Sequence, residues 1–119
     1  MLFRSLIAEV GAIFIGSIIG GGGTLELAGG TGTITGLGGA VTLTGAVTAL
    51  VEGFDAYAID AGAHWTIAGG GVLESGQSLS VAAGGSVEIS GGAFTDNGTL
   101  SNLGTLQVDA GSEIGRAHV

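Results

Sequence analysis

The chain has 119 residues, 27 of them glycine, with no proline or cysteine, and ten acidic against two basic residues give a formal net charge of −8. A hydrophobic content of 45% and a mean hydropathy of +0.66 exclude a disordered tail, the glycines keep no G-X-Y period and so exclude collagen, and the missing cysteines exclude disulfides and thiolate metal sites. A lysine-free acidic chain is poorly matched to nucleic acid, anionic lipid or polyanionic sugars, all of which need a cationic surface.

The opening Met1-Leu2-Phe3-Arg4-Ser5 reads as translated sequencing adapter. The codons GTG CTC TTC CGA TCT, with GTG as start, encode it. Their reverse complement, AGATCGGAAGAGCAC, read from its third base, encodes Ile-Gly-Arg-Ala and the first base of a His codon, matching Ile114-Gly115-Arg116-Ala117-His118; the preceding AG completes a Glu codon for Glu113. Residues 1–5 and 113–119 are therefore expected to be scars, and 6–112 a native insert whose only histidine is His64 and which holds no Lys or Arg. Without Arg4, and with Glu9 inside it, the apolar start no longer imitates a signal peptide. Val10 to Ile19 is also too short to span a bilayer, and is expected to form one or two strands.

From residue 24 onward the sequence repeats one unit: a short apolar-polar-apolar run closed by glycine. Thr24-Leu25-Glu26-Leu27, Val41-Thr42-Leu43, Leu79-Ser80-Val81, Val87-Glu88-Ile89 and Leu106-Gln107-Val108 are examples. Strands are predicted near Leu25, Ile34, Leu43, Thr48, Ala58, Thr66, Leu73, Ser80, Glu88, Phe94, Leu100 and Gln107. Three steps between these centres span about 22 residues, a solenoid period. Strands this short are unstable alone, and stacking them about 4.8 Å apart supplies the missing backbone partners. Gly29-Gly30, Gly38-Gly39, Gly69-Gly70-Gly71, Gly84-Gly85, Gly91-Gly92 and Asn97-Gly98 mark the corners. The expected fold is all-β: a right-handed parallel β-helix (β-solenoid) of roughly five coils of about 22 residues, without significant helix.

Residues 51–65 differ, holding the one Tyr, the one Trp, three carboxylates and His64. Phe54, Tyr57, His64 and Trp65 could form a sugar-stacking patch, but the favoured reading puts Phe54 and Trp65 in the solenoid interior. Within the insert His64 has no second His or Cys to complete a metal shell. Glu52, Asp55 and Asp60 could ligate calcium, yet their spacing fits no loop motif, and a solvated acidic face is expected. Asp96 or Asp109 could pair with another carboxyl for glycoside hydrolysis, which needs two carboxyls roughly 5–9.5 Å apart; acidic turn residues are the plainer reading.

Thr31-Gly32-Thr33-Ile34-Thr35 and Thr42-Leu43-Thr44 resemble the outward Thr ladders of ice-binding solenoids. Two coils do not make a flat array, so ordinary cross-strand Thr pairing is favoured. No catalytic, cofactor or metal residue is assigned.

The stretches GGGTLELAGGTGTITGLGG (21–39), GFDAYAIDAGAHWTIAGGG (53–71), LSVAAGGSVEISGG (79–92) and NGTLSNLGTLQVDAG (97–111) resemble the passenger region of large bacterial autotransporters and related haemagglutinin-like β-helix exoproteins. The resemblance implies a structural or adhesive stalk, without catalysis, on the surface of a Gram-negative cell or released from it. It also implies an export signal upstream, an outer-membrane translocator downstream, and a host-surface or glycan ligand bound through regions outside this piece. The alternatives are a sugar-binding or polysaccharide-acting β-helix and an ice-binding solenoid; an outer-membrane barrel would need longer strands and aromatic girdles, against six aromatics here. The excised insert, with an uncapped coil at each end, is expected to aggregate or fold poorly alone.

Overall fold

The computed structural model describes residues 5–37 and 40–109, and 113–115 as backbone. These residues form strands and no helix: β1 (Ser5–Ala8), β2 (Ile13–Ile19), β3 (Thr24–Leu27), β4 (Gly30–Thr35), β5 (Val41–Gly45), β6 (Thr48–Glu52), β7 (Ala56–Ile59), β8 (Ala63–Ala68), β9 (Gly71–Leu73), β10 (Ser78–Val81), β11 (Ser86–Ser90), β12 (Ala93–Asp96), β13 (Thr99–Asn102), β14 (Thr105–Val108) and β15 (Glu113–Gly115). All twelve predicted strand centres fall inside strands, and the Val10–Ile19 run supplies β2. Of the segments read as adapter-derived, residues 1–4 and 116–119 lie outside the described residues, while Ser5 opens β1 and 113–115 form β15.

Three sheets result. The five-stranded sheet runs β1-β3-β7-β10-β13, the seven-stranded sheet β14-β11-β8-β4-β5-β6-β2, and the three-stranded sheet β15-β12-β9. From β7 onward successive strands visit the five-, seven- and three-stranded sheets in rotation, three times over. In the five-stranded sheet every pairing is parallel: Ser5 lies beside Thr24, Thr24 beside Ala56, Ala56 beside Ser78 and Ser78 beside Thr99. The steps are 19, 32, 22 and 21 residues.

The step of 32 departs from the uniform period expected, and its cause departs from the all-parallel stacking expected. β4, β5 and β6 form an antiparallel meander inside the seven-stranded sheet. Only Ala46 and Val47 separate β5 from β6, a hairpin-length loop. The register also explains the pairing. Thr33 faces Thr44 and Thr35 faces Thr42, and Gly32 faces Gly45 where the two backbones come close enough that neither position has room for a Cβ.

Alternation sends one residue in two to the interior, and register stacks these residues in rows. Leu6, Leu25, Tyr57, Leu79 and Leu100 form one row; Ile34, Ile67, Ile89 and Val108 form another. Each fully buried Leu or Ile contributes about 1.5–3 kcal/mol. Trp65, the largest buried side chain, sits opposite Gly32, and a Cβ there would lie 2.5 Å from its ring. Its indole N–H is buried without a hydrogen-bond partner, which costs about 1–3 kcal/mol. Trp65→Ala should therefore destabilise by about 3–5 kcal/mol through the cavity. Trp65→Phe leaves a smaller cavity and also removes the unmet donor, so it should cost clearly less than Trp65→Ala. Urea denaturation of both variants checks the difference.

Candidate functional site

The distinctive segment 51–65 is divided by the fold rather than gathered. Phe54 and Trp65 are buried in the core, as the interior reading expects, and Tyr57 takes an inward row position in the five-stranded sheet. His64 points outward from β8, where its Nδ1 lies 2.5 Å from Ser86 Oγ on β11. No stacking platform of the four residues forms.

The carboxylates also separate. Glu52 and Asp55 are exposed at the end of β6 and the corner after it, while Asp60 follows β7 and meets Glu26 of β3. Among the described residues no three His, Asp or Glu side chains gather to hold a metal ion. Asp96 is fully buried at the end of β12, and its Oδ1 accepts the Gly98 N–H at 3.0 Å. Asn102 Oδ1 accepts the Gly104 N–H at 3.0 Å in the same way at the next corner. Both are corner-forming Asx turns.

Asp109 follows β14, beside Glu88 of β11. Sequence reasoning missed Glu26 and Glu88 as carboxyl partners. Glu26 aligns with Ala58, two residues before Asp60, and Glu88 aligns with Gln107, two residues before Asp109. The two pairs thus share one diagonal geometry. In each, one carboxyl hydrogen-bonds the other directly, which leaves no space for a glycosidic oxygen between them.

The threonines line the outer face of the seven-stranded sheet. One row reads Thr44, Thr33, Thr66, Glu88, Gln107; another reads Thr31, His64, Ser86, Thr105. The Thr-x-Thr pattern is confined to β4 and β5 and is broken further along by His64, Glu88 and Gln107.

One groove of about 400 Å³ opens beside the meander, lined by Ile19, Ala40, Glu52, Gly53, Tyr57, Glu74 and Gln77. Gln77 is fixed at its wall: Oε1 accepts the Glu74 N–H at 2.8 Å and Nε2 donates to the Phe54 carbonyl at 3.2 Å. Burial, helped by the charge of Asp55, pushes the Tyr57 phenol up to about 12, so it stays a neutral hydroxyl. The groove therefore offers carboxylates and a phenol, with no cationic group. Glu74 and Gln77 carried no sequence signal; they reach the groove because the corner before β10 packs beneath the corner before β7.

No family model, curated protein or solved structure matches the chain.

The carboxyl pairs dictate a pH response. Hydrogen bonding to Asp60 raises the Glu26 pKa, and hydrogen bonding to Asp109 raises that of Glu88. Asp109 is lowered because its carboxylate accepts from Glu88, and then from Gln107 and Ser90. A raised folded pKa gives stability that is present below the unfolded value and lost as pH rises through the folded one. The lowered Asp109 gives stability that is present above its unfolded value and lost as pH falls through the folded one. The melting temperature should therefore rise from neutral pH toward about pH 4.5 and fall again in stronger acid. Glu26→Gln with Glu88→Gln, which keep a donor at every pH, should raise the melting temperature at pH 7 and flatten the neutral limb.

Proposed function

We propose that the chain is a stretch of a right-handed parallel β-helix serving as the structural or adhesive stalk of an exported bacterial surface protein, without catalysis of its own. The observation that carries this reading is the rotation of β7 to β15 through three sheets, with β7, β10 and β13 in parallel register at steps of 22 and 21 residues. The right hand follows from the general preference of parallel crossovers. In such a rod each coil advances the chain by about 4.8 Å, and every interior row is held by its neighbours above and below. Asp96, Asp60 and Asp109, three of the acids, are engaged by a corner or by another carboxyl: Asp96 by Gly98, Asp60 by Glu26, Asp109 by Glu88.

The passenger-region resemblance supplies the setting: an extracellular or cell-surface location on a Gram-negative bacterium, with an export signal and a translocator in the longer protein; the codon match of the two termini supports residues 1–5 and 113–119 as adapter scars. Among the described residues no helix is long and apolar enough to cross a membrane, which leaves β-barrel segments unaddressed. A sugar-binding reading draws on the groove, where Glu52, Glu74 and Tyr57 match hydroxyl groups.

Two experiments test the proposal. Residues 78–98 form one step of the register, so deleting them joins Gln77 to Thr99, which then takes the place of Ser78. The shortened chain should still fold cooperatively by circular dichroism and urea titration, whereas deleting 78–88, half a step, should abolish folding. Unfolding of the whole-step deletion would sink the β-helix. Sequencing the source DNA past both junctions should then reveal an export signal and a translocator in one reading frame; a complete locus lacking both would sink the surface role.

A further inference from the structure

The groove beside the meander lies on the flank of the molecule and is built mainly from interior elements. Glu52 closes β6 and Tyr57 lies on β7, both paired on two sides, and Glu74 and Gln77 belong to the corner between β9 and β10. Of its lining residues only Ile19 comes from an edge strand. A volume of about 400 Å³ falls in the range of small-ligand sites.

Two independent observations meet there. Glu52 and Glu74 bring two exposed carboxylates to one groove, and no Lys or Arg occurs among the described residues to answer them. Tyr57 is only 5% exposed yet lines the groove, and no described residue hydrogen-bonds its hydroxyl. A phenol buried this far normally has a partner. The wall does not supply one: the Gln77 amide is already engaged, its Oε1 by the Glu74 N–H and its Nε2 by the Phe54 carbonyl.

We infer that the groove binds a primary alkylammonium group, with Glu52, Glu74 and the Tyr57 hydroxyl as acceptors and Ile19 against the alkyl stem. An ammonium carries three donors and no acceptor, and the groove offers three acceptor groups and no cation. Hydrogen bonds to ionised groups are roughly twice as strong as neutral ones. Ile19, 36% exposed, provides apolar surface for the stem. A neutral sugar is served less well, because the Tyr57 ring on which it would stack is buried. Calcium is served less well too, since two carboxylates are a poor share of the six to eight oxygens it takes. The site needs only the geometry of the groove, and stands whether or not the sheets form a β-helix.

Titrations of the full chain at pH 7, followed by amide chemical shifts in NMR, test it. Butylammonium serves as the free amine, and a blocked lysine tripeptide presents the same group on a partner chain. At least one should move the Gly53 and Gln77 signals with a Kd on the order of 1 mM, as exposed ion pairs allow, and the tighter of the two identifies the source. Glu52→Gln with Glu74→Gln should weaken binding about fivefold. Tyr57→Phe, which keeps the ring, should weaken it about threefold. Glu26→Gln with Glu88→Gln removes as many carboxylates away from the groove and should leave binding unchanged.

No shift with either amine overturns the proposal. So does equal weakening by the two glutamate pairs, which would reduce the effect to the net charge of −8. Equal response to maltose, or saturation by calcium chloride below the concentration either amine needs, would give the groove to a sugar or a metal instead. Circular dichroism checks the fold of each variant; should Tyr57→Phe unfold, the exposed pair Glu52 and Glu74 decides alone.

Discussion

The rest of this structure depends on ladders between distant residues, from Ala56 onward parallel and 19 to 23 positions apart. Strands of three to seven residues have no stability of their own. Each is ordered by hydrogen bonds from the passes of the chain beside it, on both sides for interior strands and on one side for the edge strands. The same ladder fixes the corners. Thr99 N–H donates to the Gln77 carbonyl at 3.0 Å and Thr105 N–H to the Gly85 carbonyl at 3.0 Å, so corners stack as closely as strands do. A Cβ at Gly98 would run into the carbonyls of Gln77 and Glu74, and one at Gly104 into those of Gly85 and Ala82. Glycine is required there by close approach of backbone, and at Gly84 and Gly91 by positive φ.

The meander β4–β5–β6 is tolerated because the ladder does not depend on strand direction, only on a partner at each edge. Between β1 and β7 the five-stranded sheet has one strand, β3; between β2 and β8 the seven-stranded sheet has three. The two extra strands add about 10 Å to one side of the stack. At the far edge of this sheet, where β2 meets β6, the register shifts between Ile13 and Ser17 around Gly16 at φ 88°. The groove bounded by Ile19, Glu52 and Tyr57 opens beside this wedge.

Strand positions were legible in the sequence because alternation and glycine are local signals. Leu79-Ser80-Val81 needs no distant partner to declare which residues face inward. Strand direction was not legible, since Gly45-Ala46-Val47 and Ser90-Gly91-Gly92 look alike as punctuation, yet one returns the chain along its own sheet and the other sends it to the next. Phe54 and Trp65 were readable as core by bulk and setting. Their fit was not, because Gly20 and Gly32, which make room for their rings, lie more than 30 positions away. The carboxyl pairs were hidden for the same reason. Glu88 and Asp109 become neighbours only once the register places Gln107 beside Glu88.

Stacking also limits where charge can go. A side chain repeated in the same row recurs about every 4.8 Å, and like charges directly opposite repel. A chain with so few cations cannot relieve such a column with salt bridges, so its outward rows must dilute their acids. Glu88 is flanked along its row by Thr66 and Gln107, and Glu26 by Ile7 and Ala58. Each meets its carboxyl partner only on the diagonal, where a proton taken up in mild acid replaces repulsion with a hydrogen bond. Threonine, serine and glutamine between the acids are thus part of the electrostatics of the sheets, because they keep carboxylates from recurring at every rung of a row.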